Sequence, residues 1–273
     1  MVRFGSVAVS MLTIVGVFGA TAAGAFDAHQ VSELRDTKTC ERCDLGEATL
    51  KNLDLKGAKL ARAKLVDADL KGADLSGADL VGADMRRADL EKATLINANL
   101  ARSNGAGVDM EKSDASGADF SGADFRNADI GESALISVKM VGADFGGVDF
   151  KRSDLSGSDL TSAKFQRANL ERAILRGVNL READLTRVEL DRADLTGANL
   201  SSAILKDAQL KRANLTDANL SDADLSGAVL KRAVLSGANL TGARGLKPRQ
   251  LEDACGDSKT QLPDPELVLQ DCQ

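Results

Sequence analysis

The sequence predicts an all-β solenoid, a chain wound into a polygonal coil around an apolar interior. Three observations carry that expectation. From Leu45 to Leu240 every fifth residue is large and apolar, with Gly105 and Ala115 as the exceptions. Two residues before each stands a small one, usually Ala as in Ala68, Ala73, Ala78 and Ala83, otherwise Ser, Val or Cys43, with Leu53 the one large intruder. The chain also holds eight Phe but no Trp and no Tyr, so Leu and Ala must bury the apolar surface that aromatics usually supply.

A period of five suits neither regular element. Five residues of α-helix advance about 500°, so the leucines would wander around the axis. On a plain strand an odd period would send successive leucines to opposite faces. A chain that turns a corner every five residues keeps them all inside. Within each pentad the small and the large residue, two apart, share one face of an extended segment, and the other three face water. The segment KGADLSGADLVGADM, residues 71–85, shows the rule at its plainest.

This unbroken A-(D/N)-L-x-x pattern over residues 41–245 resembles the pentapeptide-repeat family. The resemblance implies a right-handed quadrilateral β-helix with four pentads per coil. The repeat then gives about ten coils, and at an inter-strand spacing of ~4.8 Å a rod roughly 48 Å long.

With four pentads to a coil, residues twenty apart stack into columns. Phe125, Phe145 and Phe165 share an inward column, and Gly105, one coil earlier, leaves room beside them. This reads as core packing by size compensation. Asn179, Asn199, Asn219 and Asn239 form an outward column suited to an amide ladder. Asp69, Asp89, Asp109, Asp129 and Asp149 form an acidic stripe, expected to cap corner amides in Asx turns. Arg152, Arg172, Arg192, Arg212 and Arg232 form a basic column at the second corner position, flanked by Lys151, Lys211 and Lys231 and interrupted by Glu171 and Asp191. Five guanidinium groups on one line could grip an anionic partner, so this column is the candidate binding site.

The ends predict their own roles. Residues 1–25 read as a secretory signal peptide: Arg3, an apolar run from Val7 to Phe18, and an Ala23-Gly24-Ala25 cleavage site ahead of Phe26. Residues 26–40 form an N-terminal cap, with a short amphipathic helix over 27–37 that turns Val31 and Leu34 onto the first coil. Residues 246–273 form a C-terminal cap: a helix opened by Pro248 through KPRQLEDAC, then an irregular disulfide-closed tail. Caps are needed because an open terminal coil exposes a sheet edge.

Cys40, Cys43, Cys255 and Cys272 are an even set at the two ends of the array, which favours the local pairs Cys40–Cys43 and Cys255–Cys272 in an oxidising compartment. A metal or redox reading of Cys40-x-x-Cys43 is disfavoured, because His29 is the single histidine.

Several function classes fall away. A filled interior with flat walls offers no pocket for converging catalytic groups, and no nucleotide motif occurs, so no enzyme activity, cofactor or metal is expected. A net charge of −6 with both signs interleaved argues against nucleic acid as a partner. No membrane span is expected once the leader is cleaved. What remains is a non-enzymatic interaction or scaffolding rod, periplasmic or secreted, that binds a protein or an anionic envelope polymer along an outer face. The alternative, drawn from the family resemblance, is an acidic rod that mimics DNA and inhibits an enzyme such as gyrase.

Overall fold

In the computed structural model, residues 28–272 are described. The expected signal peptide lies outside them, as do Phe26 and the closing Gln273. Among the described residues no helix is long and apolar enough to cross a membrane.

Residues twenty apart bridge in parallel, as Thr39 does with Lys59, Asp69 with Asp89 and Asn219 with Asn239. Four pentads therefore make one coil. The sheet differs in one respect from an ordinary parallel sheet. Each side is so short between its corners that only the residue before the large apolar one joins a ladder, so the four walls are stacks of single-residue bridges.

The pentad Lys71–Leu75 shows how one repeat satisfies all five of its backbone donors. Lys71 N–H donates to Asp69 Oδ1 at 3.1 Å and Gly72 N–H to Glu91 O at 2.9 Å. Ala73 N–H closes the corner onto Leu70 O at 2.9 Å. Asp74 N–H reaches back to Leu53 O at 2.9 Å, and Leu75 N–H reaches forward to Thr94 O at 2.7 Å. The Asp/Asn preference follows: without an acceptor there, the first corner amide is left to water. Asp69, Asp89, Asp109, Asp129 and Asp149 each hold that amide at 2.8–3.1 Å, as the sequence predicts.

The second corner residue has positive φ throughout, from Arg42 at 58° to Gly242 at 71°. A turn closed between the first and fourth residues with positive φ at the third favours glycine, and Gly72, Gly77 and Gly82 fill it so. Elsewhere L-residues are held there, at about 1–2 kcal/mol each.

The interior is filled. Leu and Ala of successive coils are almost fully buried in one continuous core, each Leu contributing roughly 2 kcal/mol. Phe145 and Phe165 stack with ring centroids 5.5 Å apart and planes 11° apart, while Phe125 is tilted 36° to Phe145. Phe120 and Phe150, on neighbouring walls, complete the aromatic plug. A Cβ on Gly105 would lie 2.5 Å from the Phe125 ring, which is why that column has no side chain there.

Buried hydroxyls also enter the corners. Ser153 Oγ, from the next coil, accepts the Ser133 N–H at 3.1 Å and donates to Ile130 O at 2.6 Å. Ser158 does the same between Val138 N–H and Leu135 O, at 3.1 and 2.9 Å. At these two adjacent corners the hydroxyl stands in for the direct turn bond. Among the described residues no buried side-chain nitrogen or oxygen lacks a partner.

The caps form as expected at one end and differ at the other. Helix α1, Ala28–Thr37, buries Val31 and Leu34 against the first coil, and Gln30 Oε1 accepts the Asp44 N–H at 2.7 Å. Helix α2, Pro248–Leu251, is much shorter than the sequence suggests, because the chain after it returns to the ladder. Strand β1, Cys255–Gly256, pairs in parallel with β2, Gln270–Asp271. Val234 bridges Cys255 and Asn239 bridges Gln261. The segment expected to be irregular thus covers part of the last sheet edge. Both expected disulfides are present, Cys40–Cys43 and Cys255–Cys272, with Cα atoms 5.3 and 4.9 Å apart.

Candidate binding column

The corner after the acidic stripe positions the candidate column. There Arg152, Arg172, Arg192, Arg212 and Arg232 hold φ values of 60°, 60°, 62°, 60° and 59°, and all five side chains are exposed. Their spacing is fixed by the inter-coil ladder: Arg192 N–H donates to Lys211 O and Arg212 N–H to Lys231 O, both at 2.9 Å.

The five do not share one electrostatic environment. Arg152 Nη1 lies 3.1 Å from Glu132 Oε1, and Arg172 Nε lies 3.4 Å from Glu171 Oε1. Glu171 also takes Lys151 at 2.8 Å. That hydrogen bond holds the Glu171 carboxyl below its ordinary 4.5, with Arg172 and Arg192 adding to the effect. By contrast Arg192, Arg212 and Arg232 make no ion pair among the described residues. The structure therefore divides the column into a neutralised first part and an open second part.

The open part lines a surface depression of about 310 Å³ formed by Asp191, Arg192, Lys211, Arg212, Lys231 and Arg232. Its single acid is already engaged. Residue 209 is Gln, and Asp191 Oδ1 accepts the Lys211 N–H at 3.0 Å from the coil before, doing what an Asx turn does at other corners. Asp191 Oδ2 stands 3.9 Å from Lys211 Nζ. At the far end Asp253 accepts the Arg232 N–H at 2.9 Å and pairs with Lys231 at 3.5 Å.

Residue identity could reveal the column but not which of its members were paired, since those pairings depend on side-chain reach between coils. A second depression, which the sequence did not suggest, begins at Lys231 and passes Val229, Gln250 and Arg249 under α2. The amide column is only partly a ladder. Asn199 donates to Asn179 at 3.1 Å and Asn219 to Asn199 at 3.3 Å, while Asn239 Oδ1 takes the Thr241 N–H at 3.0 Å. No group of acids, histidines and cysteines suited to a metal occurs among the described residues. The four cysteines act as cap staples at the rod's ends.

Four walls of parallel bridges around a Leu/Ala core define a β-solenoid built of five-residue units. The chain belongs to the pentapeptide repeat family, whose description matches it in overlapping stretches from residue 40 to residue 244. Membership implies the right-handed form of this β-helix, and proteins of the family are typically non-enzymatic structural or interaction proteins.

Among solved structures, HetL from the cyanobacterium Nostoc sp. Strain PCC 7120, involved in heterocyst differentiation regulation, is 28% identical. That match covers 89% of this chain and 100% of HetL, with a TM-score of 0.34. Rfr23 from the cyanobacterium Cyanothece 51142 is 39% identical over 34% of this chain and 63% of its own, with a TM-score of 0.31. QnrB1, a plasmid-mediated fluoroquinolone resistance protein, is 20% identical over 66% of this chain and 90% of its own, with a TM-score of 0.42. None of the three bears on what this chain binds. No curated protein matched.

Proposed function

We propose that the protein is a non-enzymatic interaction rod, exported to the periplasm or beyond, that binds an anionic partner along its Arg-lined corner. The partner is an acidic protein face or an envelope polymer. One observation carries this reading: Arg192, Arg212 and Arg232 stand on one line, exposed and, among the described residues, without ion pairs, while the neighbouring acid Asp191 is held by the backbone. Unpaired guanidinium groups in register suit recognition better than stability, since exposed ion pairs elsewhere on the rod contribute roughly 0–1 kcal/mol. The two cap disulfides accord with an oxidising compartment.

The DNA-mimic alternative draws less support. The stripe of Asp69 to Asp149, its best feature, has a structural task in holding corner amides. The test is a salt-titrated binding screen of anionic envelope polymers and acidic proteins against the full chain and an Arg192→Gln/Arg212→Gln/Arg232→Gln variant. Binding that weakens with salt and is lost in the variant supports the reading; binding unchanged in the variant removes the column from it.

A further inference from the structure

The corner that carries the Arg column is basic toward the C-terminal end and acidic toward the other. Four coils before Lys211, Gly131 takes the first corner position without a side chain and leaves a notch of about 130 Å³. Glu111, Asp129, Glu132 and Asp149 line it, with Lys151 as the one cation. Asp129 and Asp149 each give one oxygen to a corner amide, at 3.0 and 2.8 Å, and make no ion pair among the described residues. The notch and the basic depression around Lys211 and Arg212 lie roughly 19 Å apart on one line. Midway between them stand Glu171 and Arg172, paired with each other at 3.4 Å.

A partner that meets both patches must carry the opposite charges at the coil rise. A second copy of this chain does so by construction, because its charges sit on the same coils. Turned end for end about a two-fold axis at Glu171 and Arg172, it lays its acidic notch on the basic depression and its basic depression on the notch, as a self-complementary contact requires. Glu132 then faces Arg212 of the second copy, Glu111 faces Arg232, and Lys151 and Arg152 face Glu189 and Asp191. Charge also fixes the register. A slip of one coil sets Lys151 and Arg152 against Lys211 and Arg212 in one direction, and Asp129 and Glu132 against Glu189 and Asp191 in the other. A parallel arrangement sets the basic depression on itself. Like charges brought together in these ways are disfavoured.

We infer that the Arg corner pairs with the acidic notch of a second copy of this chain, in an antiparallel side-by-side dimer centred on Glu171 and Arg172. This rests on the proposed function and names the acidic protein face that it calls for. The contact is a strip of six coil steps, about 29 Å long, on a single corner. The dimer therefore belongs with small, polar interfaces that form weakly and dissociate in salt. Past the end of the strip Asp253 would meet Glu91 of the second copy, and each of these acids is held by lysines of its own chain.

Sedimentation equilibrium of the full chain tests it. The parent should dimerise reversibly, with a dissociation constant that rises at least about tenfold between about 50 and about 500 mM salt. Arg212→Glu sets two acids face to face and Glu132→Lys sets two cations face to face, so each alone should raise the constant at least about tenfold at low salt. Mixed in equal amounts, the two variants should return to within about threefold of the parent. In the mixed dimer the two reversed charges meet each other and the two native ones meet each other, and the recovery shows that both variants are folded. A dimer that ignores salt or survives either substitution, or a mixture that stays monomeric, overturns the corner pairing. A parent that stays monomeric at low salt overturns self-association altogether. Arg-dependent binding in the salt-titrated screen then leaves the proposed function standing, and its absence overturns both.

Discussion

Asp191 Oδ1 accepts the backbone N–H of Lys211 at 3.0 Å, reaching across one coil to a corner whose own wall residue, Gln209, does not hold that amide. The carboxylate thus serves the backbone of the open Arg corner while its charge opposes anion binding there. Asp191→Asn keeps the acceptor and removes the charge. It should leave stability within about 0.5 kcal/mol of the parent and tighten anion binding. Asp191→Ala also removes the charge but abandons the amide, and should cost about 1 kcal/mol in denaturant unfolding. Equal stabilities for the two variants would show that the Lys211 amide is satisfied by water.

Gly105 and Phe125 form a size-compensated pair within one inward column. A methyl on Gly105 would lie 2.5 Å from the ring, and packed interiors concede little room. Gly105→Ala should destabilise by about 1–3 kcal/mol. The double variant Gly105→Ala/Phe125→Leu should recover much of that, a coupling measured by a double-mutant cycle in urea. Additive losses would mean that the ring swings aside freely.

These two pairs show what the sequence does and does not make legible. The Gly105–Phe125 compensation is readable because both residues occupy one column and backbone periodicity alone fixes columns. The walls, the two disulfides and helix α1 follow from the same periodicity and from composition at the ends. The Asp191 bridge, the hydroxyls of Ser153 and Ser158 inside the corners, and the division of the Arg column are different. They depend on which rotamer reaches across a coil, and a one-dimensional pattern carries no rotamers. The ordered tail is not legible for another reason: Cys255 and Gln261 rejoin the ladder with offsets of 21 and 22 residues, which break the twenty-residue register.

The positive φ of the Arg column allows a clean separation of binding from folding. Arg212 sits at φ 60°, where an L-residue is strained and glycine is not. Arg212→Gly should therefore leave the melting temperature unchanged or slightly higher, because released strain offsets the greater freedom of the unfolded chain. Arg212→Ala keeps the strain and should melt no higher than the glycine variant. Both should lose anion affinity equally. A glycine variant that melts well below the alanine one would show that the Arg stem itself supports the coil.

The C-terminal staple should govern local rather than global stability. Cys255–Cys272 closes a separation of 17 residues, which the loop-entropy account values at about 3 kcal/mol, whereas Cys40–Cys43 spans only 3. Because a solenoid unit touches only its neighbours, reduction should free the tail and fray the last coils while the middle stays folded. Hydrogen exchange after reduction should show lost protection at Gln261, Cys272 and Leu240, with the amides of Phe145 and Phe165 unchanged. Uniform loss along the rod would instead mean that the coils unfold as one cooperative unit.

Acid should loosen the rod through its paired carboxylates. Asp124 is held below its ordinary 3.8 chiefly by the Arg126 guanidinium, whose Nε and Nη2 donate to it at 2.8 and 2.6 Å. Asp224 is held below the same value by the Ser226 side chain and amide. A carboxyl whose pKa is depressed by folding binds its proton more readily in the unfolded chain. Its contribution is complete above the unfolded value and fades as pH falls through 3.8 toward the folded one. Melting temperature should be flat above about pH 5 and fall below about pH 4. In Asp124→Asn the amide oxygen still accepts the Arg126 N–H, so the fold persists while one titrating group is lost. Its melting temperature should be somewhat lower at neutral pH and should fall less steeply with acid. An Asn variant with the parent's acid slope would show that the Arg126 pair does not participate in the acid transition.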